Sequence, residues 1–174
     1  MGHDLAKEEI QDFLNQLSQH YAQTIKLYLL GGSAMCFLGS PRRTVDIDFT
    51  VDISSEELEN IVETVAQDLK LEIEEISIDE FIPLPADTAS RHQLLGNYGS
   101  IEVYIFDPYC IALSKVARGF DSDIQDVLFL LQIGLIKIDL LTRFIEDTFP
   151  VAWDYDIDPD QLRNHLEVVK KLFL

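Results

Sequence analysis

The sequence predicts an α+β fold: a mixed β-sheet flanked by helices, followed by a C-terminal helical region. Two observations carry this. Strand-length apolar runs and strict alternations recur between helical patterns up to Phe106. Beyond Pro108 the apolar period is helical throughout. We therefore expect residues 1–108 to form an α/β core and residues 109–174 a helical region packed on it as a single compact unit. A chain of 174 residues, 47 % hydrophobic and 25 % charged, has the apolar content for a packed core and is not disordered by composition.

In residues 5–21, Leu5, Phe13, Leu17 and Tyr21 fall near one helical face with Ile10 and Leu14 beside them, and Asp4 is the expected N-cap. Ile25 to Leu30 reads as a buried strand ending at Gly31-Gly32. Ser33 to Leu38 reads as one or two helical turns, stopped by Gly39-Ser40-Pro41. Val45 to Val51 alternates, with Val45, Ile47, Phe49 and Val51 on one face and Asp46, Asp48 and Thr50 on the other, the period of a half-buried strand. Ser54 and Glu57 form a capping-box pattern ahead of a helix through Leu58, Ile61, Val62, Val65 and Leu69. Leu71 to Ile78 alternates again, and Pro83 to Ser90 is a loop with two prolines. Asn97-Tyr98-Gly99-Ser100 is the expected turn of a hairpin joining His92–Leu95 to Ile101–Phe106. Helices are expected near 109–118, 122–134, 139–148 and 160–172, with Asp121 and Asp158 as caps and Pro159 at a first helical position. Trp153, Tyr155, Phe144 and Phe149 are expected to pack these helices.

The 31 acidic residues outnumber the 13 basic ones and leave a formal charge of −18. This disfavours an extended nucleic-acid surface, which needs a basic footprint, and docking on an anionic membrane. No apolar stretch is long enough to span a bilayer, and no apolar signal core opens the chain, so a cytoplasmic location is expected. The acid excess is concentrated: residues 44–90 hold 14 acids and one base, Lys70. Cys36 and Cys110 show no CxxC or zinc spacing and read as reduced thiols. His3, His20, His92 and His165 are scattered without ligand spacing. Ser33 has no lysine at position 36 to activate it, since Cys36 stands there.

The sharpest pattern is Gly31-Gly32-Ser33 at a strand end, then Asp46-Ile47-Asp48 on the next strand. Period two puts Asp46 and Asp48 on the same face. Adjacent carboxylates repel unless a cation lies between them, and Mg²⁺ takes a few carboxylates and completes its shell with substrate phosphates. A Gly-Gly-Ser turn offers backbone N–H groups and a hydroxyl to phosphate. Alone, the glycines describe a tight turn and the aspartates a solvated strand face. Together, in this order, they describe a phosphoryl or nucleotidyl transfer site.

The stretch LYLLGGSAMCFLGSPRRTVDIDFTVD resembles the signature of the nucleotidyltransferase superfamily, which has the polymerase-beta-like fold. EFIPLP at Glu80 to Pro85 and DPYCIALSKVARGFDSDIQDV at Asp107 to Val127 resemble a bacterial branch of small members. That branch is similar to transferases acting as toxins in abortive-infection-type toxin–antitoxin pairs. The resemblance spans residues 25–133. It implies a transferase moving a nucleoside monophosphate from an NTP to a hydroxyl on a protein, a tRNA or a small molecule, with one or two Mg²⁺ ions. It implies Gly31, Gly32 and Ser33 at the triphosphate and Asp46 and Asp48 at the metal. A third carboxylate would act as general base; Glu80 is the first choice, with Asp79, Glu74 and Glu102 as alternatives. Arg42 and Arg43 are expected to neutralise phosphate charge or to pair with local acids. Lys115 and Arg118, one turn apart, would face the nucleotide or acceptor, or else form surface ion pairs. Asp121 and Asp123 fit helix capping and the macrodipole, and Asp126 fits holding the Lys115–Arg118 helix. An antitoxin or further copies of the chain are the expected partners. The alternative reading is a nucleotide-binding or regulatory protein of the same fold that acts through protein contacts without turnover.

Overall fold

The structure, a computed structural model, describes residues 4–174; His3 lies outside the described residues. The chain divides into two compact units. One holds the residues up to Ile76 together with His92–Phe106, and the other holds Ser77–Arg91 and Asp107–Leu174. The chain therefore passes between units at three points.

The first unit contains α1 (Lys7–His20), β1 (Ile25–Leu30), α2 (Gly31–Phe37), β2 (Asp46–Val51), α3 (Glu56–Leu69), β3 (Glu72–Glu75), β4 (Gln93–Tyr98) and β5 (Ile101–Ile105). The sheet is mixed, in the order β3-β2-β1-β5-β4. β1 runs antiparallel to β2 and parallel to β5, β2 runs parallel to β3, and β4 and β5 form the antiparallel hairpin. The hairpin turns on Gly99 and Ser100; Gly99 has φ +59°, a conformation glycine adopts without a Cβ penalty. A register shift between Leu94 and Gly96 bulges β4.

Alternation gives the sheet one buried face. Ile25, Leu27, Leu29, Ile47, Phe49, Ile101, Val103 and Ile105 are all 2 % exposed or less. α1 contributes Ile10, Phe13, Leu14 and Leu17 to the core and α3 contributes Leu58, Val62, Val65 and Ala66, each set at helical spacing.

Several local signals land one or two residues away from their expected places. α1 is capped at Ala6, whose N–H is accepted by Glu9 Oε1 at 3.2 Å, and Asp4 is not its cap. Thr44 holds the chain here instead, since its carbonyl accepts from Leu5 N–H at 2.7 Å. The cap of α3 is Ser55, whose hydroxyl accepts from Leu58 N–H at 3.1 Å; Ser54 turns outward toward Glu59. β3 stops at Glu75, and Ile78 lies in a 3₁₀ turn.

The second unit is helical: α4 (Pro108–Arg118), α5 (Asp121–Gln132), α6 (Ile138–Thr148) and α7 (Pro159–Phe173), with a 3₁₀ segment over Phe149–Tyr155. Asp158 caps α7 through Asp160 N–H, with Pro159 at its first position. Asp121 is the first helical residue of α5 rather than its cap, and Asp123 reaches back to Phe120 N–H at 3.3 Å. Tyr109 stacks against Phe144 at 5.1 Å, whereas Trp153 is 67 % exposed and packs little of the core. Among the described residues no helix is long and apolar enough to cross a membrane.

Candidate functional site

The first unit brings the glycine turn and the aspartate pair together. Leu30, the last residue of β1, lies directly opposite Asp48 on β2. The chain then turns at Gly31 with φ +52°, and a Cβ there would sit 2.5 Å from Asp48 Oδ2. At Gly32 a Cβ would sit 2.6 Å from Thr44 Oγ1 and 3.1 Å from Arg42 Nη1. Bare glycine backbone is thus packed closely against Asp48, Thr44 and Arg42. Thr44 Oγ1 donates toward the Asp46 carbonyl at 3.0 Å and lies 3.3 Å from Asp46 Oδ1, orienting the second carboxylate. Asp48 Oδ1 and Arg42 Nη1 are sealed from solvent.

Ser33 holds the turn in place. It is fully buried, and its hydroxyl lies 2.7 Å from the Leu30 carbonyl and 3.0 Å from the Asp48 carbonyl. It ties the start of α2 to both strands and so fixes the turn against the aspartates. Arg42 and Arg43 diverge. Arg42 reaches Gly32, while Arg43 is exposed and acts on the Cys36 thiol. Burial first, then Glu8, push that thiol up, and Arg43 and Lys7 oppose them.

Sheet register orders the carboxylates. β3 places Glu74 beside Asp48 and Glu72 beside Asp46. Partners across a ladder share a face, so these four acids form a patch on the face opposite the core. Glu102 lies on the same face but pairs with Lys26, near the other end of β1 from Leu30. Asp79 and Glu80 belong to the second unit, in the 3₁₀ turn Ile78–Glu80, and both are exposed. Among the described residues no three His, Cys, Asp or Glu side chains gather closely enough to hold a metal ion. The donor set still suits Mg²⁺, which uses one or two carboxylates and draws its remaining oxygens from water and phosphate. Because Gly31 has no Cβ, Asp48 Oδ2 lies directly beside bare backbone.

An aromatic cluster shares this face. Tyr28 lies two residues from Leu30, and its ring stacks on Tyr104 at 5.4 Å and meets His92 at 4.5 Å; His92 also meets Phe106 at 4.6 Å. The alternation of Lys26, Tyr28 and Leu30 against Leu27 and Leu29 was the available signal, masked because the run reads as continuously apolar.

Lys115 and Arg118 lie in the second unit. Lys115 is only 2 % exposed, and its Nζ bonds Asp126 Oδ2 at 2.7 Å with Asp123 at 3.8 Å. It joins α4 to α5 as a buried ion pair, so Lys115 is interior and its ammonium is held by two carboxylates. Arg118 bonds the same Asp123 from a side chain that is 60 % exposed. Arg91 forms a second knot in this unit. It pairs with Asp107 at 2.7 Å and Asp87 at 2.6 Å and lies over the Phe144 ring at 4.7 Å. Burial works against its charge, but Asp107 and Asp87 outweigh it and raise its pKa.

With this geometry in place, the comparisons with known proteins are informative. A family described as nucleotidyltransferase of unknown function (DUF6036) matches residues 7–173. The chain belongs to this family. No curated protein matches it. Among solved structures it is similar to an antigenic nucleotidyltransferase-like protein from Paracoccidioides brasiliensis. That crystal structure aligns with a TM-score of 0.51 and 17 % identity over 97 % of this chain and 91 % of the other. At that identity the likeness shows the fold: the α+β chain with a mixed five-stranded sheet is nucleotidyltransferase-like. In this family member the Gly31–Ser33 turn and the Asp46–Asp48 pair are neighbours in space as well as in sequence order.

Proposed function

We propose that the chain transfers a nucleoside monophosphate from an NTP to a hydroxyl acceptor, where the Gly31-Gly32 turn meets the Asp46–Asp48 strand. The observation that carries this reading is that the β1–β2 register and the left-handed turn at Gly31 bring Asp48 against the Gly31-Gly32 backbone. Asp46 and Asp48 would hold Mg²⁺, which when bound neutralises phosphate charge and polarises the phosphorus–oxygen bonds. Backbone N–H groups of the Gly31-Gly32 turn would contact the triphosphate, and Arg42 would offset its negative charge. The acceptor oxygen attacks the α-phosphorus, a new phosphorus–oxygen bond forms, and pyrophosphate leaves. The hydroxyl proton passes to a carboxylate. Of the acids expected in that role, Glu74 is the one whose register lies beside Asp48. Positioning and charge neutralisation supply most of such a reaction's acceleration.

The acid-rich surroundings favour a protein or small-molecule acceptor over a tRNA. A toxin role is compatible with this chemistry, and growth arrest on expression, relieved by Asp46→Asn, is its expected sign. Incubation with each α-labelled NTP and Mg²⁺ tests the transferase reading. Label should pass to an acceptor in the wild type and fall by at least a hundredfold in Asp46→Asn and Asp48→Asn. Label that persists in both variants would sink the reading. A second reading, nucleotide binding without turnover, is favoured by the lack of a gathered carboxylate trio among the described residues. NTP binding with no transfer to any offered acceptor would support it.

A further inference from the structure

The face of the sheet that packs α3 carries a cavity away from the aspartate pair. It measures about 390 Å³ and lies between α3 and the β2–β3 edge. That is within the size range of sites that seat a ligand or an anchoring side chain. Its floor is apolar, with Phe49, Val62, Ala66 and Ile73, and its rim carries Glu59, Glu63 and Glu75. No lining residue is basic. Glu59 and Glu63 are one turn apart on α3 and repel. Burial, and then Glu59, push the Glu75 carboxyl up, while Ser54 works the other way. The rim is therefore short of positive charge, and the floor is short of apolar cover.

The chain itself carries a segment of the opposite character. α7 ends in Lys170-Lys171-Leu172-Phe173-Leu174. Its inward face uses Leu162, Leu166 and Val169. Its end leaves Leu172, Phe173 and Leu174 at 59, 37 and 86 % exposure. Elsewhere in the chain the one pair of adjacent bases is Arg42-Arg43, and Arg42 is committed to the glycine turn. Three exposed apolar side chains next to two lysines complement an apolar floor ringed by three glutamates.

We propose that the α3–β3 groove receives the Lys170–Leu174 end of α7 from a second copy of this chain. Leu172, Phe173 and Leu174 provide apolar anchors, and Lys170 and Lys171 meet the glutamate rim. The contact joins two different surfaces, so it is heterologous: copies add head to tail, and the assembly closes only if the rotation between copies permits.

Sedimentation equilibrium of the full chain across a wide concentration range tests this. The wild type should self-associate. Lys170→Glu with Lys171→Glu should weaken association tenfold or more, and so should Leu172→Ser with Leu174→Ser. All four substituted residues lie at the end of α7, outside its buried face. Glu59→Lys with Glu63→Lys should weaken association equally. Mixing that variant with the Lys170→Glu, Lys171→Glu variant should restore association, because each tail then meets a groove of opposite charge: the wild-type tail meets the wild-type groove, and the swapped tail the swapped groove. A labelled peptide of residues 166–174 should bind the full chain and shift the amide resonances of α3 and β3. A wild type that stays monomeric, a tail variant that associates normally, or charge-swapped partners that fail to rescue would each overturn the proposal.

Discussion

At Gly31 two constraints coincide. The backbone is left-handed at φ +52°, and a Cβ would meet Asp48 Oδ2 at 2.5 Å. An L-residue in this conformation costs about 1–2 kcal/mol before any clash is counted. Gly31→Ala should therefore lower unfolding free energy by at least about 1–2 kcal/mol in urea titration. It should also displace the Asp48 carboxylate, so nucleotidyl transfer should fall far more than that stability loss explains. Ser33 and Lys115 show the converse, residues expected at a ligand and found holding structure together. Ser33 spends its hydroxyl on two strand carbonyls, and Lys115 is enclosed with Asp126. Breaking a buried ion pair from one side is typically severe, about 3–5 kcal/mol, because a charge is left without its partner. That cost fits a structural role for the Asp107–Val127 stretch.

Among the elements, strands and helices were legible where apolar period and length agreed. α3, α7 and the alternation through Ile47 and Phe49 stand where the pattern puts them. Their ends were less legible, because several residues near each end have capping chemistry and packing chooses among them. At α3 both Ser54 and Ser55 qualify; Ser55 has the extended backbone at φ −150° that lets its hydroxyl reach Leu58 N–H. Ser55→Ala should cost about 1 kcal/mol by thermal or chemical unfolding, and Ser54→Ala only a few tenths. The aspartate pair and the glycine turn were legible in the sequence because both are local. The position of Glu74 was not: only the parallel pairing of β3 with β2 sets it beside Asp48, and register is a property of two segments together. The exchange of Ser77–Arg91 into the helical unit was invisible for the same reason.

For the molecule as a whole, the buried Cys110 thiol contributes to alkaline stability. Burial, then Asp107, push the Cys110 thiol up to about 12. The folded state thus keeps a proton that the unfolded state releases near pH 8.5, roughly the free cysteine value. Between those two values the unfolded chain binds fewer protons, so stability is full below this window and is lost as pH rises through it. Urea unfolding from pH 8 to 10.5 should show this decline, at most about 1.4 kcal/mol per pH unit from this group, and Cys110→Ala should flatten it. The threefold passage of the chain between its units bears on synthesis as well. β1 is the central strand, yet its neighbour β5 reaches it only after Ile105 has left the ribosome. While the intervening residues are being made, at roughly 5–20 residues per second, one edge of Ile25–Leu30 stands open. A ribosome paused in that interval would present an unpaired apolar strand, the form of nascent chain most in need of a holding chaperone.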